Sequence, residues 1–161
     1  MYILGIHNAS DAGVCLVKNN KVLAAISEER LNRKKMYIGF PHKSLKIILS
    51  KFNLKIKDID YFAYGWCGKK NDITDYNIKF TKRMIEECKK NNNNYKLINE
   101  RVLSENERDN LIRIKFNEEC KKLKIPTNKI IFLDHHQSHA WSAFSSSPFR
   151  KSLVFTLDGR G

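Results

Sequence analysis

Three of the chain's five histidines fall in the stretch Leu133-Asp134-His135-His136-Gln137-Ser138-His139-Ala140. The apolar, β-like run Lys129–Leu133 leads into them, and the residues from Ala140 to Phe144 suit a helix. A helix beginning near His135 sets His135 and His139 one above the other on a single face. Helical H-x-x-x-H pairs can share a metal ion, whereas His136 points to a different side. Asp158 closes a second apolar run, Leu153-Val154-Phe155-Thr156-Leu157, which reads as a strand. A carboxylate at that strand end would complete a two-histidine, one-carboxylate set with positions left open for substrate. Histidines at a helix start also serve as capping or surface groups. The spacing alone leaves both assignments standing.

The elements that would hold these residues begin at the N-terminus. Tyr2–His7 and Val14–Val17 are apolar and β-rich, and Asn19-Asn20 separates the second from Val22–Ile26, a two-residue hairpin signal. The three strands make an antiparallel meander. The first loop, Asn8–Gly13, carries Ser10, Asp11 and backbone amides near a sheet end, suited to a phosphate or a carbonyl, or else to an ordinary turn. Ser27–Lys35 is dense in mixed charge and reads as a solvated connection. Pro41 then opens a helix to Phe52, striped by Leu45, Ile48, Leu49 and Phe52, and Ile59–Tyr64 follows as a strand ending at Gly65. Residues 68–126 read as a polar helical excursion with few core-like clusters. Two helices are expected in it, near Tyr76–Lys90 and Glu105–Leu123, joined through Asn91–Asn94.

With 161 residues and 42% hydrophobic content the chain can form one domain with a real core. The net charge of +13 suggests affinity for polyanions. It comes mostly from lysine amid many Asn and Ile residues, a general compositional bias, and no nucleic-acid-binding motif accompanies it. Cys15, Cys67, Cys88 and Cys120 are irregularly spaced without C-x-x-C, so they read as reduced thiols rather than zinc or disulfide ligands. The N-terminus lacks the basic region of a signal peptide, and no apolar run approaches the ~20 residues of a membrane span. These features predict a cytoplasmic protein. The ending Leu157-Asp158-Gly159-Arg160-Gly161 looks like the start of a hairpin with nothing to pair, so a fragment or truncated gene is expected.

The order of elements matches one half of the actin-like ATPase (ribonuclease H-like) fold, an α/β half-domain with a mixed sheet and flanking helices. Specific residues narrow this. Ile3-Leu4-Gly5-Ile6-His7, Ser10-Asp11-Ala12-Gly13, Ser27-Glu28-Glu29-Arg30, Arg33-Lys34-Lys35 with Gly39-Phe40-Pro41, the segment Asp134 to Phe144, and Leu157-Asp158-Gly159-x-Gly161 occur in one order. Together they resemble the N-terminal part of the O-carbamoyltransferases of nodulation-factor and antibiotic biosynthesis. The resemblance spans nearly the whole chain and is weakest from about residue 69 to 125.

The resemblance implies a longer, two-domain enzyme. A YrdC-like C-terminal domain, absent from these 161 residues, would make carbamoyl-adenylate from ATP and carbamoyl phosphate. The N-terminal domain, similar to enzymes that threonylcarbamoylate tRNA, would transfer the carbamoyl group to a hydroxyl of a small-molecule or sugar acceptor. Carried over residue by residue, the ligands of a divalent metal (iron, manganese or zinc) would be His135, His139 and Asp158. Lys35 and Ser138 match positions that approach the adenylate, and Ser10 and Asp11 lie in the first substrate-facing loop. The family's catalytic histidine falls at Ser10 here, and serine is no base unaided. His7 is the candidate substitute. Two other assignments remain: a relative acting on tRNA by the same transfer chemistry, and a truncated domain without catalysis. The isolated 161-residue chain is expected to be inactive alone.

Overall fold

A computed structural model describes residues 1–66, 82–91 and 95–157. Their elements in order are β1 (Tyr2–His7), β2 (Gly13–Lys18), β3 (Lys21–Ser27), α1 (Glu29–Asn32), α2 (His42–Lys51), β4 (Tyr61–Tyr64), α3 (82–90), α4 (Tyr95–Lys122), β5 (Ile130–Phe132) and α5 (His135–Ser145). The strands form one five-stranded mixed sheet in the order β3-β2-β1-β4-β5. β1 runs antiparallel to β2 and parallel to β4, and β4 is parallel to β5. The meander closes at Asn19 and Asn20, both left-handed at φ 48° and 64°. Asparagine tolerates that region, as a primed two-residue turn requires.

Alternation along the strands sends successive side chains to opposite faces. Leu4, Ile6, Val14, Leu16, Phe62 and Tyr64 are buried on one face, where α2 adds Leu45 and Ile48 and α4 adds Phe116 and Cys120. Tyr64 stacks on Phe116 with ring centroids 4.0 Å apart. Its hydroxyl donates to Asn8 Oδ1 at 2.8 Å, and Asn8 Nδ2 donates to the Ile112 carbonyl at 2.8 Å. This buried amide therefore ties the first loop to α4 with its polar groups satisfied. The helical excursion is thus a structural layer of the core, because Ile112, Phe116 and Cys120 recur on one helical face.

Three expectations need correction. The charged segment after β3 is not simply solvated: Glu28 is 3% exposed and takes the amides of Lys43 and Ser44 at 3.1 and 2.8 Å, plus the Ser44 hydroxyl at 2.8 Å. Pro41 offers no side-chain acceptor at the start of α2, so a carboxylate from 13 or more positions upstream does the capping. The amides of the first loop are not all free, since Ala12 N–H is held by the Tyr37 carbonyl at 3.1 Å. Residues 152–157 are not a strand; Leu153, Phe155 and Leu157 are 80%, 86% and 87% exposed and join no sheet among the described residues. Alternation supplied the apolar pattern there, but a strand needs an edge to pair with.

Candidate metal centre

The sheet's other face carries Gly5 and His7 from β1, Gly13 and Cys15 from β2, Ala25 and Ser27 from β3, then Ala63 and Gly65 at the end of β4. With Ser138, His139 and Trp141 of α5 these residues line an open cavity of about 790 Å³. Small side chains keep the floor low. A Cβ on Gly65 would come within 2.9 Å of Ser138 Oγ, so a larger residue there would displace the Ser138 hydroxyl.

α5 starts where the histidine spacing predicted. Asp134 sits in extended backbone at φ −63°, ψ 142°, and its carboxylate accepts the Gln137 amide at 2.9 Å. The aspartate is the cap, and the imidazoles are left for other work. One helical turn apart, His135 Nε2 and His139 Nε2 face each other at 3.1 Å, with the ring planes at 86°. A metal–nitrogen bond is ~2.0–2.1 Å, so two cis ligands of one ion stand about 2.9–3.4 Å apart. The separation of the pair matches one shared ion. Both Nε2 lone pairs would then face the metal and the ring protons would sit on Nδ1; without metal, one Nε2–H would donate to the other nitrogen. Among the described residues no third His, Cys, Asp or Glu completes a ligand group. Asp158, the expected oxygen ligand, lies outside the described residues.

His136 turns away, with Nδ1 3.1 Å from Thr156 Oγ1. His7 reaches the same cavity from β1. Its Nε2 lies 3.0 Å from the Ser10 carbonyl, which only accepts, so Nε2 carries the proton and Nδ1 the lone pair. Burial pushes the His7 pKa below its ordinary 6.5, more than the Ser10 bond raises it; His7 is therefore neutral near pH 7. Ser138 lines the cavity, with its hydroxyl donated to the Asp134 carbonyl at 2.8 Å. Ser10, Asp11 and Lys35 do not line it. Asp11 is exposed at a left-handed φ of 62°, and Lys35 is exposed in the turn after α1.

Sequence reasoning missed Trp66. Its ring stands edge-on to His7 at 5.5 Å and to His135 at 5.2 Å. A single tryptophan after a strand carries no periodic signal, and its two neighbours are distant in the chain.

The fold and the paired imidazoles place the chain in a class of α/β proteins with a candidate metal site on one sheet face. Residues 2–161 match the family model described as carbamoyltransferase N-terminus, and the chain belongs to that family. It is 32% identical over 152 residues to the nodulation protein NolNO of Sinorhizobium fredii, covering 94% of this chain and 20% of that protein. An uncharacterised protein of Methanocaldococcus jannaschii is 30% identical over 99% of this chain and 22% of its own length. One of Synechocystis is 28% identical over 99% of this chain and 26% of its own. The chain thus spans about a fifth to a quarter of the relatives it matches. Among the described residues no helix is long and apolar enough to cross a membrane.

Proposed function

We propose that this chain forms the N-terminal, metal-binding portion of an ATP-dependent O-carbamoyltransferase, which moves a carbamoyl group from carbamoyl-adenylate to a hydroxyl of a small-molecule or sugar acceptor. The observation that carries the reading is the 3.1 Å separation of His135 Nε2 and His139 Nε2 beside a half-buried His7. The strand order β3-β2-β1-β4-β5, with antiparallel β1–β3 and parallel β4 and β5, supports an actin-like half-domain.

His135 and His139, with Asp158 as oxygen ligand, would hold iron, manganese or zinc; these donors suit all three. A divalent ion there would supply polarisation of the carbamoyl carbonyl and offset charge on the adenylate phosphate. The acceptor oxygen bonds to the carbamoyl carbon as the carbon–oxygen bond to the phosphate breaks, releasing AMP. His7 takes the hydroxyl proton at Nδ1, the nitrogen left unprotonated by the bond to Ser10. Ser138 contacts the substrate within the cavity, whereas Lys35, Ser10 and Asp11, which stand outside it, would meet the phosphate and other substrate groups that extend beyond it. Carbamoyl-adenylate would come from ATP and carbamoyl phosphate at a further domain of the longer protein, in the cytoplasm.

Titration calorimetry with a non-transferable carbamoyl-adenylate analogue tests this. Binding is expected to require Mn²⁺ and to weaken at least about tenfold in His135→Ala/His139→Ala, the scale of lost metal-site support. Equal binding without metal, or undiminished binding in that variant, contradicts it.

A further inference from the structure

Three imidazoles reach the candidate centre, yet the reading above assigns two to a metal and one to proton transfer. Something must keep the third out of the ligand set. Trp66 packs against two of them, with its ring 5.5 Å from His7 at 66° and 5.2 Å from His135 at 77°. Such edge-to-face contacts are a favoured aromatic geometry, with the positive ring edge against a π face. The indole Nε1 is buried and has no hydrogen-bond partner among the described residues. Among them, packing against the two imidazoles is what holds this ring in place. His7 and His135 thus both rest against one indole. Two nitrogens that share one ion must each come within ~2.1 Å of it, and a ring fixed against the indole is not free to turn to such a position.

We propose that Trp66 is a positioning residue that partitions the three histidines. It confines His7 to the proton-transfer side and leaves His135 and His139 as the imidazole ligands. This inference rests on the metal-site reading proposed above. The contact matters because a metal-bound imidazole has no lone pair left to accept a proton, so a His7 drawn into the ligand set could no longer serve as base. An aromatic ring without a ring N–H would serve the same purpose. The partition predicts that shape at position 66 counts and the indole donor does not.

Pulsed electron paramagnetic resonance on the protein loaded with one equivalent of Cu²⁺ counts coordinated imidazoles directly. The expected count is two in the wild type, in Trp66→Phe and in His7→Ala. It rises to three in Trp66→Ala and in the bulkier Trp66→Leu, and returns to two when His7→Ala is added to either. A count of two in folded Trp66→Ala or Trp66→Leu overturns the partition, as does a count that drops in His7→Ala alone. If the wild-type count is unaltered in His135→Ala/His139→Ala, the metal-site reading itself fails, and the partition with it.

Discussion

The two faces of the sheet are built from the same strands and differ in almost every respect. One is tiled with Leu4, Ile6, Val14, Leu16, Phe62 and Tyr64 and sealed by α2 and α4. The other shows Gly5, Cys15, Ala25, Ala63 and Gly65 beneath α5, with the histidines along one side. No residue of α5 is buried. Burial stabilises the first face by roughly 1.5–3 kcal/mol per large apolar side chain. The second face gives up that packing, and what it gains is an open cavity beside the imidazoles. Stability and chemistry are thus separated by strand alternation, residue by residue, within single strands: Ile6 points into the core and His7 into the cavity.

If that separation holds, substitutions on the two faces should have unlike consequences. The largest effect belongs to Phe116→Ala, which empties a fully buried site stacked on Tyr64. It should cost about 3–5 kcal/mol in urea unfolding while leaving metal stoichiometry in the folded protein unchanged. Glu28→Ala comes next, at about 1–3 kcal/mol by the same measurement, because two amides at the start of α2 and the Ser44 hydroxyl lose their acceptor. His7 gives a smaller, pH-dependent effect. Its pKa in the folded state lies below the ordinary 6.5 through burial, so the unfolded chain takes up the proton first. Its contribution is intact above pH 6.5 and is lost as pH falls towards the depressed folded value. His7→Asn should flatten that segment of the stability–pH curve. The smallest change is expected for His135→Ala/His139→Ala, within about 0.5 kcal/mol of wild type, although metal binding is abolished. A large loss of stability in that variant would mean the open face is structural after all.

How much of this could be read from the chain follows from the range of the interactions involved. The Asn19-Asn20 hairpin and helix α2 are local matters of turn chemistry and period, and the structure reproduces them within a residue or two. The start of α5 was legible for the same reason, since Asp134 caps it three residues from its partner amide. The apolar run at 153–157 looked like a strand, yet alternation cannot say whether a pairing edge exists. Glu28 was hidden within a charged segment because its partners lie 15 and 16 residues further on. The excursion looked poor in core residues, yet Phe116 stacks on a tyrosine from β4 more than 50 positions earlier. The His135–His139 pair was visible as a helical spacing, whereas Trp66 became visible only when β1, β4 and α5 met in space.

The central claim is that His135 and His139 hold one metal ion on the open face, and anomalous diffraction tests it most directly. Crystals grown with Mn²⁺ and measured at a wavelength where manganese scatters anomalously should show a peak between the two Nε2 atoms, about 2.0–2.3 Å from each. The same map from His135→Ala/His139→Ala crystals should lose that peak. An empty gap between the two imidazoles in the wild type, with manganese bound elsewhere, would contradict the account.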